Sequence, residues 1–383
     1  MGFDHGILDA TTIPFENVYV ASDKDTADTI NAKLASGLHL VLSPGIYNLT
    51  SPLLISKSNQ VVLGLGFATL VSANGNAAIE VASGIDGVRL GGVLLQAGPV
   101  KAEALLKWGH SALPYRGVPS NPGIFYDVFA RVGGPNGDVP VSATTMLQIY
   151  SGNVIGDNMW LWRADHTDTG PVTNSRNPVS NGLQVFGDDV TMLGLAVEHT
   201  LEDLVKWEGN GGQTYFYQSE YPYDVNTEYG TSGFASYHVG SNVTSHGAWG
   251  IGVYHFFRDY PVVIPTGISC PSNLEASFVN PVGVYLSGQG HMDHVINDKG
   301  YFIYHCLSCM STFDFFSFCV KCCDFFTPNS SGVLLSMNQI YGFKRPVLGQ
   351  AGTAVVGKRT SRASSSRPGP DSCTDSAVGA TVD

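Results

Sequence analysis

Residues 147–166 read LQIYSGNVIGDNMWLWRADH, and residues 183–199 read LQVFGDDVTMLGLAVEH. Each stretch is a short run with alternating apolar residues, a Gly/Asn/Asp turn, and a second run. Leu147-Gln148-Ile149 and Leu183-Gln184-Val185 stand 36 residues apart. Residues 79–98, IEVASGIDGVRLGGVLLQAG, form a third copy, and residues 284–288 continuing to 294–296 form a shorter fourth. Self-similarity at a set spacing marks a solenoid, in which alternate residues point inward and each coil stacks on the next. A β-sandwich predicts hairpin turns every ~8–12 residues, whereas here one coil carries a variable outer loop. The chain therefore reads as all-β, a single-stranded right-handed parallel β-helix.

Working outward, Asp25-Thr26-Ala27-Asp28 can cap a helix whose apolar side holds Ile30 and Leu34, with Gly37 ending it. Leu38 to Leu42 then reads as a strand, and Ser43-Pro44-Gly45 as a turn. Gly64-Leu65-Gly66 lies between strand-like runs and reads as a coil turn rather than a dinucleotide loop.

The composition agrees with many short strands and tight turns. Of 383 residues 43% are hydrophobic, only 14% are charged, and 45 are glycine. The net charge of −12 repels phosphate backbones and weighs against nucleic acid and polyanionic substrates. No P-loop or GxSxG is present. Residues 301–326, YFIYHCLSCMSTFDFFSFCVKCCDFF, hold five of the seven cysteines. Cys306-x2-Cys309 and Cys319-x2-Cys322 have zinc-ligand spacing. The run between them is Phe-rich, lacks turn glycines and adds Cys323, so no metal site is assigned. Asp314 and Lys321 interrupt this run, which excludes a membrane span. From Lys344 the chain is Ser/Arg/Gly/Pro-rich and reads as a disordered tail. The expected segments are 1–17, a β-helix over 18–300, a Cys/Phe-rich stretch over 301–343, and the tail over 344–383.

The sharpest constellation is acidic. Asp165 follows Trp160-Leu161-Trp162-Arg163-Ala164, and Asp188-Asp189 follow Gly187. Their offsets suggest a shared turn edge on adjacent coils, about 5 Å apart along the stack. Crowded carboxylates raise one member's pKa, which a general acid needs. The bland reading is that Asp188 and Asp189 are simply turn residues. Other polar candidates are Arg163, His166, Asp168, Glu198 and His199. His166 and His199 are expected at corresponding strand ends, as a stacked pair or as satisfied turn histidines. An aromatic run (Trp207, Tyr215, Phe216, Tyr217, Tyr221, Tyr223) suits sugar stacking or core packing equally.

Several blocks together carry a resemblance: residues 18–21 with 25–31, Leu42-Ser43-Pro44-Gly45-Ile46-Tyr47, residues 61–66, Trp162-Arg163-Ala164-Asp165-His166, Gly187-Asp188-Asp189-Val190-Thr191, Val197-Glu198-His199, and Asn210 to Gln218. The set resembles the pectin-lyase-like β-helix catalytic domain of glycoside hydrolase family 87, the α-1,3-glucanases (mutanases) and mycodextranases, over roughly residues 18–300. That resemblance implies an inverting, endo-acting α-1,3-glucanase with three catalytic aspartates. Asp188 would protonate the glycosidic oxygen, while Asp165 and Asp189 would hold and deprotonate water across the roughly 6.5–9.5 Å gap inversion requires. From the residues themselves, the candidate substrate contacts are Trp162, Arg163, His166, Glu198, His199, Trp207, Tyr215 and Tyr217. The expected partner is a neutral α-glucan, met by an extracellular monomer without cofactor or metal, although the first residues show no signal peptide. Polygalacturonases share the fold and an Asp plus Asp-Asp set, but their Arg-Ile-Lys motif is missing here. A polygalacturonase-like hydrolase and a non-catalytic glycan-binding protein are the alternatives.

Overall fold

The computed structural model describes residues 12–301, apart from Asn136 and Asp138, together with Ile303 and Tyr304. The sequence expectations for 1–11 and for nearly all of 301–383 lie outside the described residues. What remains is the expected parallel β-helix. A helix at Ala27–Ala35, capped by the Thr26 hydroxyl accepting from the Thr29 N–H, covers the first coils. Two long parallel sheets follow. Among the described residues sheet A has thirteen strands and sheet B nine, and from Leu53 to Ser269 the coil strands alternate between them.

The interior is built from stacked columns. On sheet B, Ile79, Leu106, Leu147, Leu183, Val205, Tyr237 and Ile268 lie in register on successive coils, all buried. On sheet A, Met159, Leu195, Tyr217 and Ile251 form another such column. Each large apolar side chain so buried contributes about 1.5–3 kcal/mol.

The sheet A strands Val154–Arg163, Thr191–Glu198, Gly212–Glu220 and His246–Phe257 each pass through one left-handed residue: Asn158, Gly194, Phe216 and Gly250. These four residues align and are skipped in the pairing register. The inside/outside alternation slips there by one, so that Asp157 and Asn158 are both exposed. Glycine and asparagine tolerate this conformation, whereas Phe216 holds it at φ 63°.

The recurring Gly/Asn/Asp phrase is the turn from sheet B to sheet A. Coils approach so closely there that a Cβ on Gly187 would lie 2.2 Å from the Ser151 carbonyl oxygen. Leu147 does pair with Leu183, as the 36-residue repeat predicts. The period is not constant, however, because Leu183 pairs with Val205 only 22 positions on. Outer loops absorb the difference. The fourth phrase also differs from the others, running from sheet A (Val282–Gly288) to sheet B (His291–Ile296).

Candidate active site

This variable coil length decides which acids meet. Asp165 lies two residues beyond the end of the Val154–Arg163 strand. The Asp188 carbonyl accepts from the Asn153 N–H, just before that same strand begins. The coil there is 36 residues long, so a residue 23 positions past Asp165 has not yet come round. A ten-residue strand, roughly 30 Å of chain at about 3.3 Å per residue, lies between the two ends. The expected three-aspartate cluster is thus not formed. Asp188 instead accepts from the Asn210 N–H (2.8 Å), and Asp189, at φ 56°, sits 3.7 Å from Arg116 on the surface.

What does assemble lies around Asp165. Trp162, Glu198 and Glu220 are register partners on three successive coils of sheet A, all outward-facing. One step before them run Trp160, Ala196 and Gln218. The Trp160 and Trp162 rings stack at 5.5 Å, and Trp162 lies 5.3 Å from the exposed His166 ring. Behind them His199 is buried, with its Nε2 4.0 Å from Asp165 Oδ1 and 3.8 Å from Glu220 Oε2. His166 Nδ1 reaches the same Asp165 oxygen at 2.9 Å. The two histidines therefore converge on Asp165 instead of stacking on one another.

The electrostatics follow from crowding and burial. Burial and then the Glu220 charge push Glu198 up to about 7, against hydrogen bonds from Trp160 and Gln218 that favour the carboxylate. Burial also raises Glu220, which accepts from the Tyr223 hydroxyl. Burial drives His199 down to about 4 against the pull of Asp165. At neutral pH the cluster thus holds a carboxyl poised between its two forms beside a neutral imidazole. Among the described residues, no group of three or more His, Cys, Asp or Glu side chains is arranged to hold a metal ion.

Several expected sugar contacts lie elsewhere. Trp207 and Tyr217 are buried core residues facing the solenoid interior. Arg163 is likewise fully buried, paired with Asp224 at 2.9 Å. Asp168 accepts from the Gly137 N–H within a loop. Tyr215 does face outward, stacked on Trp249 at 4.6 Å, beyond the left-handed column from the acidic cluster. Glu220 was not among the expected residues. Its signal was the 22-residue spacing from Glu198, which equals the local coil length.

A family model described as the LAM55 pectate lyase-like domain matches residues 18–220. The chain belongs to this family. LAM55 membership replaces the expected family 87 assignment. The blocks that suggested family 87 are largely the turns and alternating runs that any stacked coil needs. The LAM55 chain is 37% identical over 302 residues to an exo-beta-1,3-glucanase of Streptomyces sp. (strain SirexAA-E / ActE), covering 77% of this chain and 49% of that protein. The solved structure of sacteLam55A from Streptomyces sp. SirexAA-E superposes with a TM-score of 0.72 at 36% identity, over 78% of this chain and 54% of that one. A variant of that protein in complex with glucose gives 0.69 at 37% identity, over 75% and 52%. The chain spans about half the length of the relatives it matches.

Proposed function

We propose that this protein is a glycoside hydrolase acting on β-1,3-glucan, with Glu198 as the proton donor. The observation that carries this reading is the in-register pair Glu198–Glu220, with Glu198 held near neutrality beside the Trp160–Trp162 stack. A pyranose ring stacks on the indole faces through its C–H groups. Its glycosidic oxygen takes the Glu198 proton, and an acid of pKa near the working pH serves that step best. Asp165 and Glu220 both approach His199 Nε2, at 4.0 and 3.8 Å, and so face the same side of the cluster. They hold and deprotonate the attacking water.

The β-linkage and action from a chain end rest on the similarity to the exo-beta-1,3-glucanase; the α-1,3 linkage drawn from family 87 has no such support. The net charge of −12 suits a neutral polymer. We further propose that the protein meets this polymer outside the cell, as a monomer.

The test is glucose release from laminarin by the parent protein and by Glu198→Gln, with binding followed in parallel. Hydrolysis lost in the variant while binding persists supports the assignment. Binding without hydrolysis in both proteins makes this a glycan-binding module instead. Hydrolysis undiminished by Glu198→Gln removes Glu198 from the chemistry.

A further inference from the structure

Arg163 stands two residues before Asp165 and exposes nothing to solvent. All five of its N–H donors are used. Nε and one Nη2 proton go to the Arg176 carbonyl at 3.0 and 2.7 Å, and the other Nη2 proton goes to Asp224 Oδ2 at 2.9 Å. The Nη1 protons go to Asp224 Oδ1 at 2.9 Å and to the His199 carbonyl at 3.2 Å. Asp224 is itself almost fully buried and also accepts from the Ser175 N–H at 2.8 Å. One planar, bidentate pair thus joins four separate stretches of chain.

The stretch that matters is His199. It sits at φ 65°, a left-handed conformation that is uncommon for a residue with a side chain. Its N–H donates to the Glu220 carbonyl at 2.8 Å and its carbonyl is taken by Arg163. Its ring Nδ1 lies 3.2 Å from the Tyr221 carbonyl, an acceptor, so Nδ1 carries the proton. The unprotonated Nε2 is left facing Asp165 and Glu220. The ring therefore presents a hydrogen-bond acceptor toward the two carboxyl groups, an orientation that the backbone at His199 must impose. Arg163 and Asp224, Asp165, Glu220 and the Tyr223 ring at 4.4 Å are the charged and titratable groups facing this imidazole.

We infer that the buried Arg163–Asp224 pair is a positioning device that locks the left-handed turn at His199, so that its Nε2 is held facing Asp165 and Glu220. The inference rests on the proposed hydrolase reading of this cluster. Two neutralising variants, Asp224→Asn and Arg163→Met, separate positioning from charge. If the pair acted only through its field, losing the anion would lower the His199 pKa and losing the cation would raise it. If it positions the ring, both losses release the ring, and its pKa moves up in both.

The experiment reads the His199 imidazole by nitrogen NMR across pH in the full chain, alongside laminarin hydrolysis. In the parent protein the Nδ1–H tautomer is expected alone; a mixture of tautomers overturns the inference without any variant. In both variants the His199 midpoint is expected to rise by about one unit or more. In both, kcat falls about 100-fold with KM little changed, the loss expected from displacing a reacting group by about 1 Å. Arg163→Lys, which keeps the buried charge but not the fork, is expected to behave like Arg163→Met and covers a failure of the latter to fold. Opposite shifts in the two neutralising variants, or none, overturn the inference. A parent protein inactive on laminarin counts against the hydrolase reading, while its His199 tautomer still tests the lock.

Discussion

Glu198 and Glu220 are paired in register on neighbouring coils, each the last residue of its sheet A strand. Parallel strands lie about 4.8 Å apart, so the two carboxyl groups cannot both ionise freely. Burial first and the Glu220 charge second push Glu198 up to about 7. In the proposed reading this pairing supplies the acid of the site.

This pairing has a consequence for stability as well as activity. Glu198 is raised from an ordinary 4.5 to about 7 on folding. Its contribution to stability is therefore complete below about 4.5 and is lost as pH rises through about 7. Glu198→Gln is expected to raise unfolding free energy at pH 8 by about 1–3 kcal/mol, measured by urea denaturation. The same substitution is expected to cut glucan hydrolysis by about 100- to 10,000-fold.

Separation of the aspartates predicts unequal phenotypes. Asp165→Asn should abolish most activity, because it removes the carboxylate that both His166 and His199 address. Asp188→Asn should leave laminarin hydrolysis within about twofold of the parent, since its side chain only accepts a turn N–H at the far end of the strand and changes at such surface sites are small. Equal losses in the two variants would restore the three-aspartate arrangement.

The outward tryptophans are expected to act on binding. Trp160→Ala removes both half of the ring stack and a hydrogen bond to Glu198. It should raise KM for laminarin about tenfold, from lost stacking of roughly 1–1.5 kcal/mol, and should raise the upper pH limit of activity as Glu198 loses a donor to its charged form. Steady-state kinetics across pH read both effects.

Trp207 gives the contrast. It is fully buried, stacked on Tyr237 at 6.2 Å and edge-on to His246 at 4.8 Å. Trp207→Ala is expected to cost about 3–5 kcal/mol of stability, seen as a lower Tm, without specific loss of substrate affinity in the protein that remains folded.

Acid sensitivity should follow from buried histidines. Burial lowers His199, His246 and His255 from 6.5 to about 4 each. A depressed histidine stabilises the fold above 6.5, and that stability is lost as pH falls toward 4, by about 1.4 kcal/mol per pH unit for each group. His246→Phe should flatten this slope by one such contribution, measured as unfolding free energy between pH 6.5 and 4.

The sequence by itself determined the solenoid. Alternating apolar runs, the LQI/LQV repeat and the Gly/Asn/Asp turns specify stacked coils, because only small or left-handed residues fit where Gly187 meets Ser151. It also pointed to the surroundings of Asp165, through Trp162, His166, Glu198 and His199. Tertiary structure alone decided which acids meet. Outer loops change the coil from 36 residues to 22, so linear spacing placed Asp188 and Asp189 beside Asp165 when they lie at the other end of the strand, and it passed over Glu220. Nor could side-chain type reveal facing. Trp162 and Trp207 are the same residue, yet one is outward and the other sealed in the core, because inside and outside alternate with a single step of chain and the left-handed column shifts that alternation by one.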